Sequence, residues 1–191
     1  MKESLKNMLK SVDILTDSEI ANGLKYFEPK SFEKGDILIE AGKVCDWIAF
    51  VNSGVLRNFY ISTKDEEVTY CLTFPNKVIS AFSSFMTQKV TFENIHALTN
   101  GELLVIKHNQ YYELMNSSKN WLKFSRFVAE QSYIEMENRL LALQMETAKK
   151  RYEDLLEFNP DYLQKVPLKY LASYLGITQR HLSRLRKEIS F

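Results

Sequence analysis

The sequence predicts an α+β protein: an N-terminal double-stranded β-helix, or jelly roll, joined by one long helix to a C-terminal helix-turn-helix. Three observations carry this expectation. Residues 32–106 alternate short runs of β-branched and aromatic residues with turn residues, residues 118–148 contain neither glycine nor proline, and residues 166–186 place small, apolar and glycine positions where two crossed helices need them. The expected divisions are 1–117 for the roll with its leading helices, 118–148 for the long helix and 149–191 for the helix-turn-helix unit.

Taken in order, Leu5, Met8 and Leu9 form a helical stripe, and Thr16-Asp17-Ser18-Glu19 has capping-box spacing ahead of Ile20 and Leu24. Pro29 is expected to close that segment. Strands follow at Asp36-Ile37-Leu38-Ile39, Trp47-Ile48-Ala49-Phe50-Val51, Leu56 to Ile61 and Leu103-Leu104-Val105-Ile106. Gly35-Asp36, Gly42, Asn52-Ser53-Gly54, Thr63-Lys64-Asp65, Pro75-Asn76 and Asn100-Gly101 supply turns between them. After Asn109 the period is helical. In the long helix Phe124, Phe127, Gln131, Ile134, Asn138, Leu141, Met145 and Ala148 recur in alternating steps of three and four, the pattern of a two-helix seam. Its polar positions, Gln131 and Asn138, fit a homodimer in which an Asn-Asn pair sets the register, or else a helix lying on its own roll. A further helix over Tyr152–Phe158 is expected to end at Asn159-Pro160.

Composition sets bounds on function. A chain of 191 residues that is 45% apolar can bury a core. Charges interrupt every early apolar run and no stretch of about 18 apolar residues occurs, so neither a signal peptide nor a membrane span is expected, and the reading is cytoplasmic. Cys45 and Cys71 lie in apolar strand-like surroundings without the spacing of a redox pair or an iron-sulfur site, and are read as buried reduced thiols. His96, His108 and His181 are scattered and form no H-x-H pair. Asp65, Glu66 and Glu67 fall in an expected hairpin turn without a partner base. With no nucleophile motif or phosphate loop either, a cupin-like metalloenzyme is not supported: no metal, no cofactor and no enzyme activity are expected.

Net charge over the whole chain is only +1, but from Lys165 to Phe191 the basic residues are Lys165, Lys169, Arg180, Arg184, Arg186 and Lys187 against one acid, Glu188. That concentration coincides with the helix-turn-helix. Pro167 can open its first helix without wasting an amide, Ala172 is small at the helix crossing, and Gly176 can take the positive φ of the turn. Ile177 plugs the small core, Thr178 caps the second helix, and Leu182 and Leu185 face inward. Gln179, Arg180, Ser183 and Arg184 are thereby left on the outer face near the second helix's start, which such motifs present to base edges. Glutamine pairs bidentately with adenine and arginine with guanine, so these residues are the expected base readers. Lys169, Thr178, His181, Arg186 and Lys187 are assigned to phosphates.

With Phe32-Glu33-Lys34-Gly35-Asp36-Ile37-Leu38-Ile39-Glu40-Ala41-Gly42 opening the roll, and Ile48-Ala49-Phe50-Val51-Asn52-Ser53-Gly54-Val55-Leu56-Arg57 similar to the next strand pair with its turn glycine, the chain resembles the Crp/Fnr family of bacterial regulators along nearly its whole length. The resemblance implies a homodimer on double-stranded DNA, reading an inverted repeat with half-sites about 34 Å apart. It also implies contact with RNA polymerase if the protein is an activator. Against the family pattern, Ala81 stands where cyclic-nucleotide binders carry a ribose-binding glutamate, and Thr91-Phe92 where an Arg-Ser pair neutralises the cyclic phosphate. Lys89 substitutes only if the loop is rebuilt, so cyclic AMP binding in the usual mode is not expected. The candidate effector pocket is Ser80, Ala81, Phe82, Ser83, Thr91 and Phe92, closed by Gln131 and Ile134 of the long helix. Phe191 follows directly on the recognition helix, so no β-wing is expected beyond it. A ligand-sensing module without DNA binding is the competing reading, separable by the salt dependence of DNA affinity.

Overall fold

The computed structural model describes residues 2–158, 160 and 164–189. Helices α1 (Glu3–Ser11) and α2 (Asp17–Gly23) and a 3-10 turn (Leu24–Tyr26) lead into strands β1 (Glu28–Phe32), β2 (Ile37–Ile39), β3 (Trp47–Ser53), β4 (Leu56–Ile61), β5 (Glu67–Thr73) and β6 (Val78–Ile79). Helix α3 (Phe82–Thr87), strands β7 (Glu93–Ala97) and β8 (Gly101–Lys107), and helices α4 (His108–Ser117), α5 (Lys119–Met145), α6 (Ala148–Phe158), α7 (Leu168–Leu175) and α8 (Gln179–Ile189) complete the chain. The α+β class is as the sequence predicts.

The strands form two antiparallel four-stranded sheets, ordered β1-β8-β3-β6 and β2-β7-β4-β5. Because side chains alternate across a strand, one face of each sheet fills the space between them. Trp47, Ala49, Val51, Leu56, Phe85, Ile95, Ala97 and Leu103 make that core. A second core lies outside the first sheet, where Phe50, Leu104 and Ile106 meet Leu5, Leu9 and Ile20 of the leading helices and Trp121 and Phe124 of α5. The capping box at the start of α2 is present in full: the Glu19 amide donates to Thr16 Oγ1 (3.2 Å) and the Thr16 amide to Glu19 Oε2 (2.9 Å).

Several boundaries differ from the sequence reading. Pro29 does not end the leading segment but pairs with Leu104 within β1, an edge strand where a missing amide costs no ladder bond. Glu67 is not in the turn before β5; it opens that strand. The long helix stops at Met145, because Glu146 is extended (φ −99°, ψ 152°), and Ala148 opens α6. Arg151 fixes the bend by donating to the carbonyls of Ala142 (3.4 Å) and Glu146 (2.5 Å). Of the expected helix end at Asn159-Pro160, Asn159 lies outside the described residues, as do Ser190 and Phe191, where the expectation of no wing falls. Among the described residues no helix is long and apolar enough to cross a membrane.

Candidate nucleic-acid interface

Helices α7 and α8 close a third core. Leu171, Ala172 and Leu175 of the first and Leu182 and Leu185 of the second pack with Tyr152, Leu155 and Val166, and with Val55, Leu72 and Leu98 from the roll. Pro167 caps α7 with an extended backbone (ψ 141°), one residue earlier than an opening helical position. Gly176 ends it at φ +70°, and a Cβ there would lie 3.2 Å from Leu143 of α5, so both backbone and neighbour select glycine. Ile177 donates its amide to the Ala172 carbonyl (3.0 Å), and Thr178 Oγ1 accepts from the His181 amide (3.2 Å) as the cap of α8.

With Leu182 and Leu185 pointing inward, the opposite face of α8 is polar and basic. Gln179, Arg180 and Arg184 are exposed and Ser183 is half-buried, all within its first two turns. Lys187 and Thr178 are exposed beside them and His181 is half-buried. Arg186 is exposed too, close to the Tyr152 hydroxyl of α6. Lys169 sits apart, on α7, with Nζ 3.8 Å from Glu67 Oε2 of the roll.

That last contact belongs to a docking surface the sequence reading missed. Strand β5 is the edge of its sheet, and α7 covers it. Ser173 Oγ accepts the otherwise unused Thr69 amide (2.9 Å). Arg57 of β4 is 1% exposed; it donates to Glu67 Oε2 (2.6 Å), His96 Nδ1 (2.9 Å) and Thr69 Oγ1 (3.2 Å). Its guanidinium lies between the rings of Phe59 (4.0 Å) and Tyr170 of α7 (3.5 Å). Burial raises the Glu67 pKa, but the hydrogen bond and charge of Arg57, with Lys169, bring it below the ordinary carboxylate value. Burial and then the Arg57 charge hold His96 below the ordinary histidine value. Arg139 of α5 donates to the carbonyls of Tyr70 (2.8 Å) and Tyr174 (2.6 Å), and Arg151 of α6 to that of Leu175 (3.0 Å). An arginine embedded between Leu56 and Asn58-Phe59 was the available signal, since a charge in an apolar strand needs partners.

The candidate effector residues divide. Ala81 and Thr91 are buried and Ser80 is half-buried, whereas Phe82, Ser83 and Phe92 face solvent, Phe92 at 73% exposure. Gln131 and Ile134 lie on the outward side of α5, lining a shallow groove of that helix with Arg126, Ala129, Glu130 and Tyr133. Within one chain they are therefore not brought to the cassette. Of the seam residues, Phe124 is turned into its own core against Trp121 (5.7 Å between ring centroids). Phe127, Gln131, Ile134, Asn138, Leu141 and Met145 form an exposed ridge. A second exposed apolar ridge, Leu122, Tyr133, Met136 and Leu140, runs along a different face of the same helix. Among the described residues no group of three or more His, Cys, Asp or Glu is placed to hold a metal ion.

Residues 29–118 match the family model of the cyclic nucleotide-binding domain. No curated protein matches the chain by sequence. Solved structures do share its fold: FixK2 from Bradyrhizobium japonicum is 14% identical with a TM-score of 0.75, over 86% of this chain and 84% of that one. A protein from Eubacterium rectale described as a transcriptional regulator of the Crp/Fnr family is 17% identical with a TM-score of 0.72, over 96% and 88%. The c-di-GMP-responsive global regulator CLP of Xanthomonas campestris is 14% identical with a TM-score of 0.71, over 92% of each chain. Residues 29–118 are thus similar to the cyclic nucleotide-binding domain, within a chain that shares the fold of a protein described as a Crp/Fnr-family regulator.

Proposed function

We propose that the protein is a sequence-specific DNA-binding transcription regulator, acting in the cytoplasm as a homodimer on an inverted repeat. The observation that carries this reading is the outer face of α8: Gln179, Arg180 and Arg184 stand exposed beside Ser183 on the first two turns of a helix whose other face is locked into a core by Leu182 and Leu185. Thr178, His181, Arg186 and Lys187 flank that face and hold phosphates in this reading; Lys169 joins them when it leaves Glu67. The family's regulators support the same assignment by fold, and RNA polymerase is the further partner if the protein activates.

The dimer axis in this reading runs along α5, with Phe127, Ile134, Leu141 and Met145 against the partner helix and Asn138 pairing with its counterpart. Sedimentation of Ile134→Lys and Met136→Lys separates the two exposed ridges: monomers with the first variant alone support this seam, and monomers with the second alone move it to the Tyr133 ridge.

The first experiment is selection of bound sequences from a random duplex library at two salt concentrations. An enriched inverted repeat with half-sites one helical turn apart is the expected result, with affinity falling steeply as salt rises. No enrichment and no salt dependence would leave a ligand-sensing module instead.

A further inference from the structure

Asn58 follows Arg57 on β4 and so points the other way, into the roll. There it meets Tyr70 of β5 and Glu93 of β7. Asn58 Nδ2 donates to Glu93 Oε2 (2.7 Å) and to the Ser80 carbonyl (3.4 Å), and the Tyr70 hydroxyl donates to the same carboxylate oxygen. Asn58 is 3% and Glu93 6% exposed. None of the ion pairs among the described residues includes Glu93. Asn58 Oδ1 is buried and accepts no hydrogen bond from the described residues. Turning the amide round does not relieve it, because Oδ1 would then face the carboxylate.

A carboxylate without a cation and an amide oxygen without a donor share one buried cluster, and both call for the same complement: a positively charged donor. We propose that Asn58, Tyr70 and Glu93 form an effector site in the roll that takes the cationic end of a small ligand, a primary ammonium or an amidinium. This inverts the charge logic of a cyclic-nucleotide pocket, in which a buried arginine meets an anion. It rests on reading the chain as an effector-switched regulator, and it names the ligand class that reading leaves open. The cluster is also wired to the reading head. The Tyr70 carbonyl accepts from Arg139, whose other nitrogen donates to the Tyr174 carbonyl and whose guanidinium covers the Tyr174 ring at 3.6 Å. A ligand that shifts Tyr70 therefore pulls on the end of α7.

The test is calorimetric titration of the full chain with ethylammonium and benzylammonium, with benzyl alcohol as the neutral match and cyclic AMP as the anion. At least one ammonium probe is expected to bind saturably, with the alcohol and cyclic AMP weaker by roughly tenfold or more. Glu93→Gln should lower ammonium affinity by roughly tenfold or more while the variant melts no lower than the parent. Absence of saturable ammonium binding, binding that survives Glu93→Gln, or preference for cyclic AMP or the alcohol would each overturn the proposal. So would a Glu93→Gln variant that melts well below the parent, since the cluster would then be structural. Arg139→Gln should keep ammonium binding but sever its effect on DNA affinity. Selection on random duplexes without any amine judges DNA binding separately, so failure of the pocket and failure of the regulator reading are distinguishable.

Discussion

Two adjacent residues of β4 bury polar groups on opposite sides of one sheet, and the two sites are built differently. On the outer side Arg57 has a carboxylate, an imidazole nitrogen, a hydroxyl and two aromatic faces. On the inner side, among the described residues, the Glu93 carboxylate has an amide and a hydroxyl but no cation, and Asn58 Oδ1 has no donor. Arg57, Asn58 and Glu93 are all buried, so burial does not distinguish a structural polar group from a receptive one; the complement of partners does. The outer site is complete and holds α7 to the roll. The inner site is short of a positive donor.

The largest expected effect tests the outer site. Glu67→Ala leaves the Arg57 guanidinium buried without a counter-charge and should cost about 1–3 kcal/mol in urea unfolding, less than for a fully buried pair because the Glu67 side chain is 32% exposed. Arg57→Met should cost less, because the Glu67 side chain is 32% exposed and can recover solvent and Lys169. The double variant Arg57→Met with Glu67→Leu should recover most of the loss, giving a coupling energy well away from zero. A cost below about 1 kcal/mol for Glu67→Ala would show that the pair is solvated in solution.

The inner site should respond with the opposite sign. Glu93→Gln removes an uncompensated buried charge and brings a donor into the cluster, so stability should rise by about 1 kcal/mol, a melting-temperature gain of roughly 2–4 °C for a chain of this size. A fall of that size would make the two faces of β4 alike and end the comparison.

Much of the architecture was legible in the sequence, for reasons tied to particular residues. Thr16 and Glu19 satisfy each other across one turn, and Gly176, Ile177 and Thr178 are dictated by a local backbone reversal, so spacing alone exposes them. The clasp was not legible, because Arg57 finds its partners at Glu67, His96 and Tyr170, joined only by the folding of two sheets and a distant helix. The heptad pattern was silent on Phe124, since the first turns of α5 pack into the core shared by the roll and the leading helices. Nor does aromatic content tell inside from outside: Phe85 is fully buried while Phe82, three residues earlier on the same short helix, is 48% exposed.

Acid should weaken the outer site in two steps. His96 Nδ1 accepts from Arg57, so the folded ring is neutral, with its pKa below the ordinary 6.5. The unfolded chain binds the proton first, so the stability His96 contributes is present above about pH 6.5 and lost as pH falls toward its folded value. Glu67, also lowered, adds a second loss as pH falls below 4.5, its ordinary value. His96→Gln, which keeps an acceptor for Arg57, should flatten the first decline in a series of melting curves. If the decline below pH 6.5 persists in His96→Gln, another group carries it.

The smallest effect bears on Lys169, which the sequence assigns to a DNA phosphate and the structure sets near Glu67. An exposed pair at 3.8 Å contributes little, so Lys169→Ala should change stability by no more than about 0.5 kcal/mol. If the lysine also reaches phosphate, the same variant should reduce the slope of log affinity against log salt by about 1 for each half-site. An unchanged slope would assign Lys169 to the clasp alone. A reduced slope would mean that DNA and the roll compete for one lysine, so that engaging the operator loosens the outer site while Arg57 and Glu67 keep it closed.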